Sequence, residues 1–209
     1  MESNLVLSKY IEELLPASAQ IPEERKKLLS PIVAYLRSAI SDGRTSQLLF
    51  VCIQNSRRSI FAEVWSQVAA WKLGIKNFRS FSAGSEVSAV HPNTRDALIR
   101  AGVSTIASTI GQNPIYQAEF GGSFPSLVLF SKGIDSSELP AENFGAVLVC
   151  VKDAEACPFI PHAEVRIPLP YDDPKNFDGT EQMPDAYDRC CKQIASEMFW
   201  LMNEVQKKR

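Results

Sequence analysis

Residues 48–74 constrain the chain more than any other stretch. Leu48-Leu49-Phe50-Val51 has the length and character of a strand buried on both faces, and Cys52 ends it. A polar turn follows at once, Gln54-Asn55-Ser56-Arg57-Arg58. Phe61, Val64, Trp65, Val68 and Leu73 then recur on one helical face, and the helix stops near Gly74. A strand that runs through a tight loop straight into a helix opens an α/β unit. In such sheets ligands sit beyond the carboxyl ends of the strands, where the turn at 52–58 lies.

The rest of the chain agrees with that beginning. Further strands are expected at 78–82, ended by Ala83-Gly84, and at 127–130, 146–151 and 165–169. A helix is expected from Pro92 to Gly102. A long one closes the chain, with Tyr187, Cys191, Ile194, Met198, Leu201, Met202 and Val205 as its stripe and Lys207-Lys208-Arg209 at its end. Two helices, 4–15 and 22–42, precede the first strand; Leu28, Leu29, Ile32, Val33, Leu36 and Ile40 mark the second, and Pro31 is a candidate kink. Within 105–145, Gly121-Gly122 is placed to turn a hairpin between 115–120 and 127–130. The expected architecture is an α/β three-layer sandwich around a mainly parallel sheet, with a helical extension over 1–45 and the main domain over 46–209.

Charge and hydropathy exclude several functions. Lys+Arg number 22 and Asp+Glu 24, a net charge of −2, so the basic excess of a nucleic-acid binder is missing. The longest apolar runs, 48–53 and 146–151, are far too short to span a bilayer. The opening MESNLVLSKYIEELL does not read as a secretory signal, so the expected compartment is the cytoplasm and the five cysteines are expected to be reduced thiols.

The turn after Cys52 can do chemistry. A five-residue loop can curl so that successive N–H groups form an anion nest, and the helix N-terminus adds donors and partial positive charge. Arg58 can grip two oxygens of a tetrahedral oxyanion with its fork. The same field favours the nucleophilic form of Cys52, and Ser59 can donate to its sulfur. Asn55 tolerates the left-handed backbone a tight loop needs. The bland alternative is a strand-end cysteine packed as a small hydrophobe. Asp173, in Tyr171-Asp172-Asp173-Pro174, is a candidate proton donor, and the same residues also read as an ordinary turn. Cys150 and Cys157 lie seven apart; with only His91 and His162 to add, this is no zinc pattern, and no metal or cofactor is expected. Two unrelated thiols is the alternative reading.

LLFVCIQNSRRSIFAEVW resembles the phosphate-binding loop of the low-molecular-weight protein tyrosine phosphatases and of the thioredoxin-coupled arsenate reductases, which share that fold. Asn55, Arg58-Ser59 and Ala62-Glu63 carry the resemblance, and Ser82-Ala83-Gly84 resembles the family's second strand end. Gln54 stands where the family usually has Gly, and Arg57 where it usually has Cys; the first can narrow the mouth, the second can strengthen anion attraction. The resemblance implies that Cys52 is the nucleophile, that Ile53, Gln54, Asn55, Ser56, Arg57 and Ser59 surround the substrate with Arg58, and that Asp173 is the acid. Cys150-x6-Cys157-Pro158 resembles the redox pair of the arsenate reductases. It implies a relay in which Cys150 attacks Cys52, Cys157 attacks Cys150, and thioredoxin reduces the product. Thiol exchange requires each sulfur to reach the next, so residues 150–157 are expected to rearrange during turnover. Lys175-Asn176-Phe177 replaces the paired tyrosines that phosphatases of this family tend to carry after Asp-Pro. Three functions therefore stand: an arsenate reductase, a phosphatase using Cys52, Arg58 and Asp173 with water, or a non-catalytic anion-binding or redox-sensing module. The N-terminal helices are a candidate partner or homo-oligomer surface. Cys191 is expected in the core and Cys190 without a role.

Overall fold

The computed structural model describes residues 4–122, 124–150 and 159–207. Helices α1 (Leu5–Ala19) and α2 (Glu23–Ser41) come first, then β1 (Ser46–Cys52), α3 (Arg58–Lys72), β2 (Phe78–Gly84) and α4 (Pro92–Arg100). Short strands β3 (Ser104–Ala107), β4 (Tyr116–Glu119) and β5 (Leu127–Leu129) follow. The chain ends with β6 (Phe144–Leu148), β7 (Ala163–Pro168), a 3-10 turn Pro174–Phe177 and α5 (Met183–Gln206).

Strands β2-β1-β6-β7 form one parallel sheet, so the α/β expectation holds. Residues alternate between its faces, and both are apolar, as the unbroken run in β1 requires. Leu48, Phe50 and Val147 face a core shared with α2, α3 and α5, in which Trp65, Tyr187 and Met198 are fully buried. On the other face Leu49, Val51, Ala146 and Leu148 meet Ile134, Leu139 and Ile160. The hairpin expected at Gly121-Gly122 forms, and both glycines have positive φ. Strand β3, which has too little apolar pattern to signal itself, joins that hairpin to complete a small antiparallel sheet.

The N-terminal helices bury their apolar stripes in the main core. Leu7, Ile11 and Leu14 of α1 and Leu29, Ile32, Val33 and Leu36 of α2 belong to the same cluster as Phe50 and Met198. Tyr10 stacks on Trp65 with centroids 5.2 Å apart. At ~1.5–3 kcal/mol for each fully buried side chain, the two helices are integral to the fold. Pro31 leaves α2 unbroken. Helix α2 also reaches the loop that carries Asp173. Arg25 donates from Nε and Nη2 to the Glu197 carboxylate (2.8 and 2.7 Å) and from Nη1 to the Pro170 carbonyl (2.9 Å), and Tyr171 donates to Glu197 at 2.7 Å. Glu197 is buried and Arg25 half-buried, and both carboxylate oxygens are met by donors, the condition under which buried charge is tolerated.

Candidate functional site

The loop between β1 and α3 is shaped from behind. All peptide bonds among the described residues are trans, so a carbonyl held on one side of a peptide plane sends the next N–H to the other. The Ile53 carbonyl accepts the Glu86 N–H at 2.8 Å; that of Ser56 accepts the His91 N–H and Thr94 Oγ1, both at 3.1 Å. With its carbonyls tied outward, the loop turns N–H groups inward, the geometry of an anion nest. Asn55 has φ +46°, the left-handed conformation expected of it, and no other residue of the loop has positive φ. Gln54 therefore occupies its position without the backbone freedom of glycine.

Gly84, paired with Cys52 across the sheet, is needed for closeness rather than φ. A Cβ there would lie 2.5 Å from the Ile53 carbonyl oxygen and 2.7 Å from the Asn55 nitrogen, both backbone atoms. Gly84→Ala is expected to displace the loop, destabilising the fold by about 1–3 kcal/mol and lowering turnover at least tenfold. Thermal unfolding and steady-state kinetics check this; wild-type values in both would show that the close approach is dispensable.

The Cys52 sulfur sits among donors. The Asn55 N–H reaches it at 3.1 Å and Ser59 Oγ lies 3.0 Å away. Asn55 Nδ2 donates to Ser59 Oγ at 2.9 Å, and the Lys132 N–H donates to Asn55 Oδ1 at 2.7 Å. Because Ser59 Oγ already accepts from Asn55, its own proton is directed to the sulfur. Such a chain of donors is what a sulfur nucleophile and leaving group needs around it. Beneath it, Lys132 faces Glu63 at 3.8 Å, and Ser82 donates to Glu63. Burial pushes the Glu63 carboxyl up, opposed by the Lys132 charge and by Ser82.

Arg58 opens α3, only 8% exposed. It donates from Nη1 to the Tyr171 carbonyl (2.9 Å) and from Nη2 to Asp173 Oδ2 (2.5 Å), while its buried Nε has no partner among the described residues. The expected acid and the expected anion grip thus hold each other. Asp173 also caps the 3-10 turn, accepting the Lys175 N–H, so the turn reading holds while its other carboxylate oxygen meets Arg58. Cys52, Ile53, Gln54, Ser56, Arg57, Arg58, Asp173 and Lys175 line a pocket of about 130 Å³. That volume is well below the ~300–1,000 Å³ of a drug-sized site and suits a small anion. Two larger cavities around Trp200, at the end of α5, share none of its lining residues.

Arg57, expected as extra positive charge, has its charge answered. Its Nε donates to Tyr187 Oη (2.7 Å) and its Nη2 to Asp178 (3.1 Å), and Nη1 touches Gln54 Oε1 at 3.4 Å. His91 stacks on Tyr187, with its pKa lowered by burial and then by the Arg57 charge. Sequence reasoning did not find Lys175, Asp178, Tyr187 or Lys132 at the site. Only Lys175 carried a signal, its position after Asp173-Pro174.

Strand β6 ends at Leu148, short of the expected 151, although the ladder runs on through the Val149 N–H to the Val51 carbonyl at 3.0 Å. Cys150, half-buried, follows at the same carboxyl end of the parallel sheet as Cys52. Cys157 and the expected rearrangement lie outside the described residues. Cys191 is in the core, accepting from Trp65 Nε1 at 3.1 Å, and burial pushes its thiol up to about 12. Cys190 is also buried, and burial pushes its thiol well up, which keeps it protonated. Among the described residues no group of three or more His, Cys, Asp or Glu could hold a metal ion. No helix among them is long and apolar enough to cross a membrane.

Residues 47–120 match the sequence profile of the family described as low molecular weight phosphotyrosine protein phosphatase. Among solved structures, the chain is similar to an arsenate reductase in the phosphate binding state (18% identity, TM-score 0.52, covering 77% of this chain and 99% of that one). It is similar to a low molecular weight protein tyrosine phosphatase from T. tengcongensis (14%, TM-score 0.53, 76% and 98%). A mutant of YwlE from Bacillus subtilis is similar too (16%, TM-score 0.51, 78% and 99%). At these identities the likeness is one of fold. No curated protein matches the chain. The profile over residues 47–120 and the fold agree with the resemblance read from the loop sequence.

Proposed function

We propose that this chain is a thiol-dependent oxyanion enzyme that reduces arsenate to arsenite, with Cys52 as nucleophile and Cys150 and Cys157 as the redox pair. The observation that carries the proposal is the Cys52 sulfur, held by the Asn55 N–H and Ser59 Oγ inside a small pocket that also contains Arg58 and Asp173. Arsenate enters the nest and is gripped by Arg58. Cys52 attacks arsenic, an oxygen leaves as water with a proton supplied by Asp173, and a sulfur–arsenic bond forms. The Cys150 thiolate then attacks the Cys52 sulfur. The sulfur–arsenic pair of electrons stays on arsenic, which departs as arsenite, and a Cys52–Cys150 disulfide forms. Cys157 attacks Cys150 and frees Cys52. A dithiol protein of the thioredoxin type would reduce the final disulfide. The register supports the second step, because Cys150 follows the strand paired directly with β1.

Phosphatase action is the second reading, since Cys52, Arg58 and Asp173 suffice for phosphoester cleavage with water in place of Cys150. The small pocket, and Lys175-Asn176-Phe177 in place of paired tyrosines directly after Asp173-Pro174, favour an inorganic oxyanion. Cys157→Ser separates the readings. On addition of arsenate it is expected to accumulate a Cys52–Cys150 disulfide, detectable by peptide mass spectrometry, and to stop after one turnover. Continuous arsenate turnover by this variant would remove Cys157 from the mechanism.

A further inference from the structure

The peptide between Gln54 and Asn55 has two ends that matter. Its N–H belongs to Asn55 and reaches Cys52 Sγ at 3.1 Å. Its C=O belongs to Gln54, points the opposite way, and accepts from two hydroxyls, Ser131 Oγ at 2.9 Å and Ser88 Oγ at 3.0 Å. The carbonyls of Cys52, Ile53 and Ser56 are held by backbone N–H groups of Ser85, Glu86 and His91. We infer that Ser131 and Ser88 are positioning residues, holding the Gln54 carbonyl outward so that the Asn55 N–H stays on the Cys52 sulfur and the nest stays formed when empty. The inference rests on the reading of this loop as an oxyanion site.

The physics makes such a device necessary. Converging N–H dipoles repel one another when no anion lies between them, and a flip of the 54–55 peptide would relieve that repulsion. The flip would also turn a carbonyl oxygen toward the thiolate and the anion, which abolishes binding. Two hydroxyl donors behind the carbonyl oppose it. Ser131 is itself fixed: it is 1% exposed, its Oγ accepts the Ser88 N–H at 2.9 Å, and Asn113 clamps its backbone from both sides. Asn113 accepts the Ser131 N–H at 3.1 Å and donates to the Ser131 carbonyl at 2.8 Å. Asn113 precedes β4 and Ser131 follows β5, so the small antiparallel sheet ends in a buckle behind the loop. The next residue, Lys132, supplies the N–H that orients Asn55.

The test uses full-length reduced protein and inorganic phosphate, with Ser131→Ala, Ser88→Ala, the double variant and Ser131→Thr. Phosphate affinity is read as protection of the Cys52 peptide from iodoacetamide by mass spectrometry. Each single alanine is expected to weaken it about five- to tenfold and the double variant on the order of a hundredfold, while Ser131→Thr retains it. Amide exchange at Asn55 is expected to speed up in the alanine variants with that at Leu49 and Val51 unchanged, a local effect that general destabilisation would not give. Wild-type phosphate affinity in the double variant overturns the inference. If the wild type shows no protection, the anion-site reading fails instead. If the double variant does not fold, Asn113→Ala decides: a loss of phosphate affinity supports the buckle, and no loss refutes it.

Discussion

Cys52→Ser is expected to abolish arsenate reduction and aryl phosphate hydrolysis together, by at least about 10⁴-fold, while the fold survives. A hydroxyl is a far weaker nucleophile than a thiolate and cannot take part in sulfur exchange. It is nearly the same size, and the Asn55 N–H and Ser59 Oγ that meet the sulfur at 3.1 and 3.0 Å can bond to an oxygen instead. The stability change is expected within about 1 kcal/mol, a shift of a few degrees in a chain of this length. Kinetics and a thermal melt check both halves. Residual turnover in Cys52→Ser would place the chemistry on another thiol.

Asp173→Asn is expected to separate catalysis from binding. Loss of the acid lowers kcat about 10²–10⁴-fold. The same substitution removes the carboxylate that holds Arg58 Nη2 at 2.5 Å, and a bound oxyanion must compete with that carboxylate. Neutral asparagine competes less, so phosphate is expected to bind several-fold more tightly to the variant than to the wild type. Isothermal titration calorimetry with inorganic phosphate reads this directly. A fall in kcat with weaker phosphate binding would mean that Asp173 contributes to holding the anion instead.

Local signals made half of this site legible. An apolar run, a cysteine, a polar turn and an Arg-Ser pair at a helix start are contiguous, and contiguity is what a sequence displays. Asn55 could be read as left-handed because few side chains tolerate that conformation, and Gly84 as special because it ends a strand. The parts that hold the loop from behind were not legible. Ser88, Asn113, Ser131 and Lys132 are ordinary polar residues whose roles exist only through contacts up to 77 positions away. Arg57 illustrates the opposite failure. Its charge is plain in the sequence, but the Asp178 and Tyr187 that answer it come from the far end of the chain. The N-terminal helices were legible as helices from their stripes. Nothing in those stripes said that Tyr10 would stack on Trp65 or that Arg25 would brace the Asp173 loop through Glu197 and Pro170.

The most direct measurement of the central claim is a single turnover without reductant. Fully reduced protein is mixed with a small excess of arsenate, and arsenite and free thiols are counted. The account predicts one arsenite formed per chain and the loss of two titratable thiols, with the disulfide mapped to Cys150 and Cys157. Hydrolysis of an aryl phosphate by the same preparation, with no arsenite formed and every thiol still free, would contradict it and identify the chain's chemistry as that of a phosphatase.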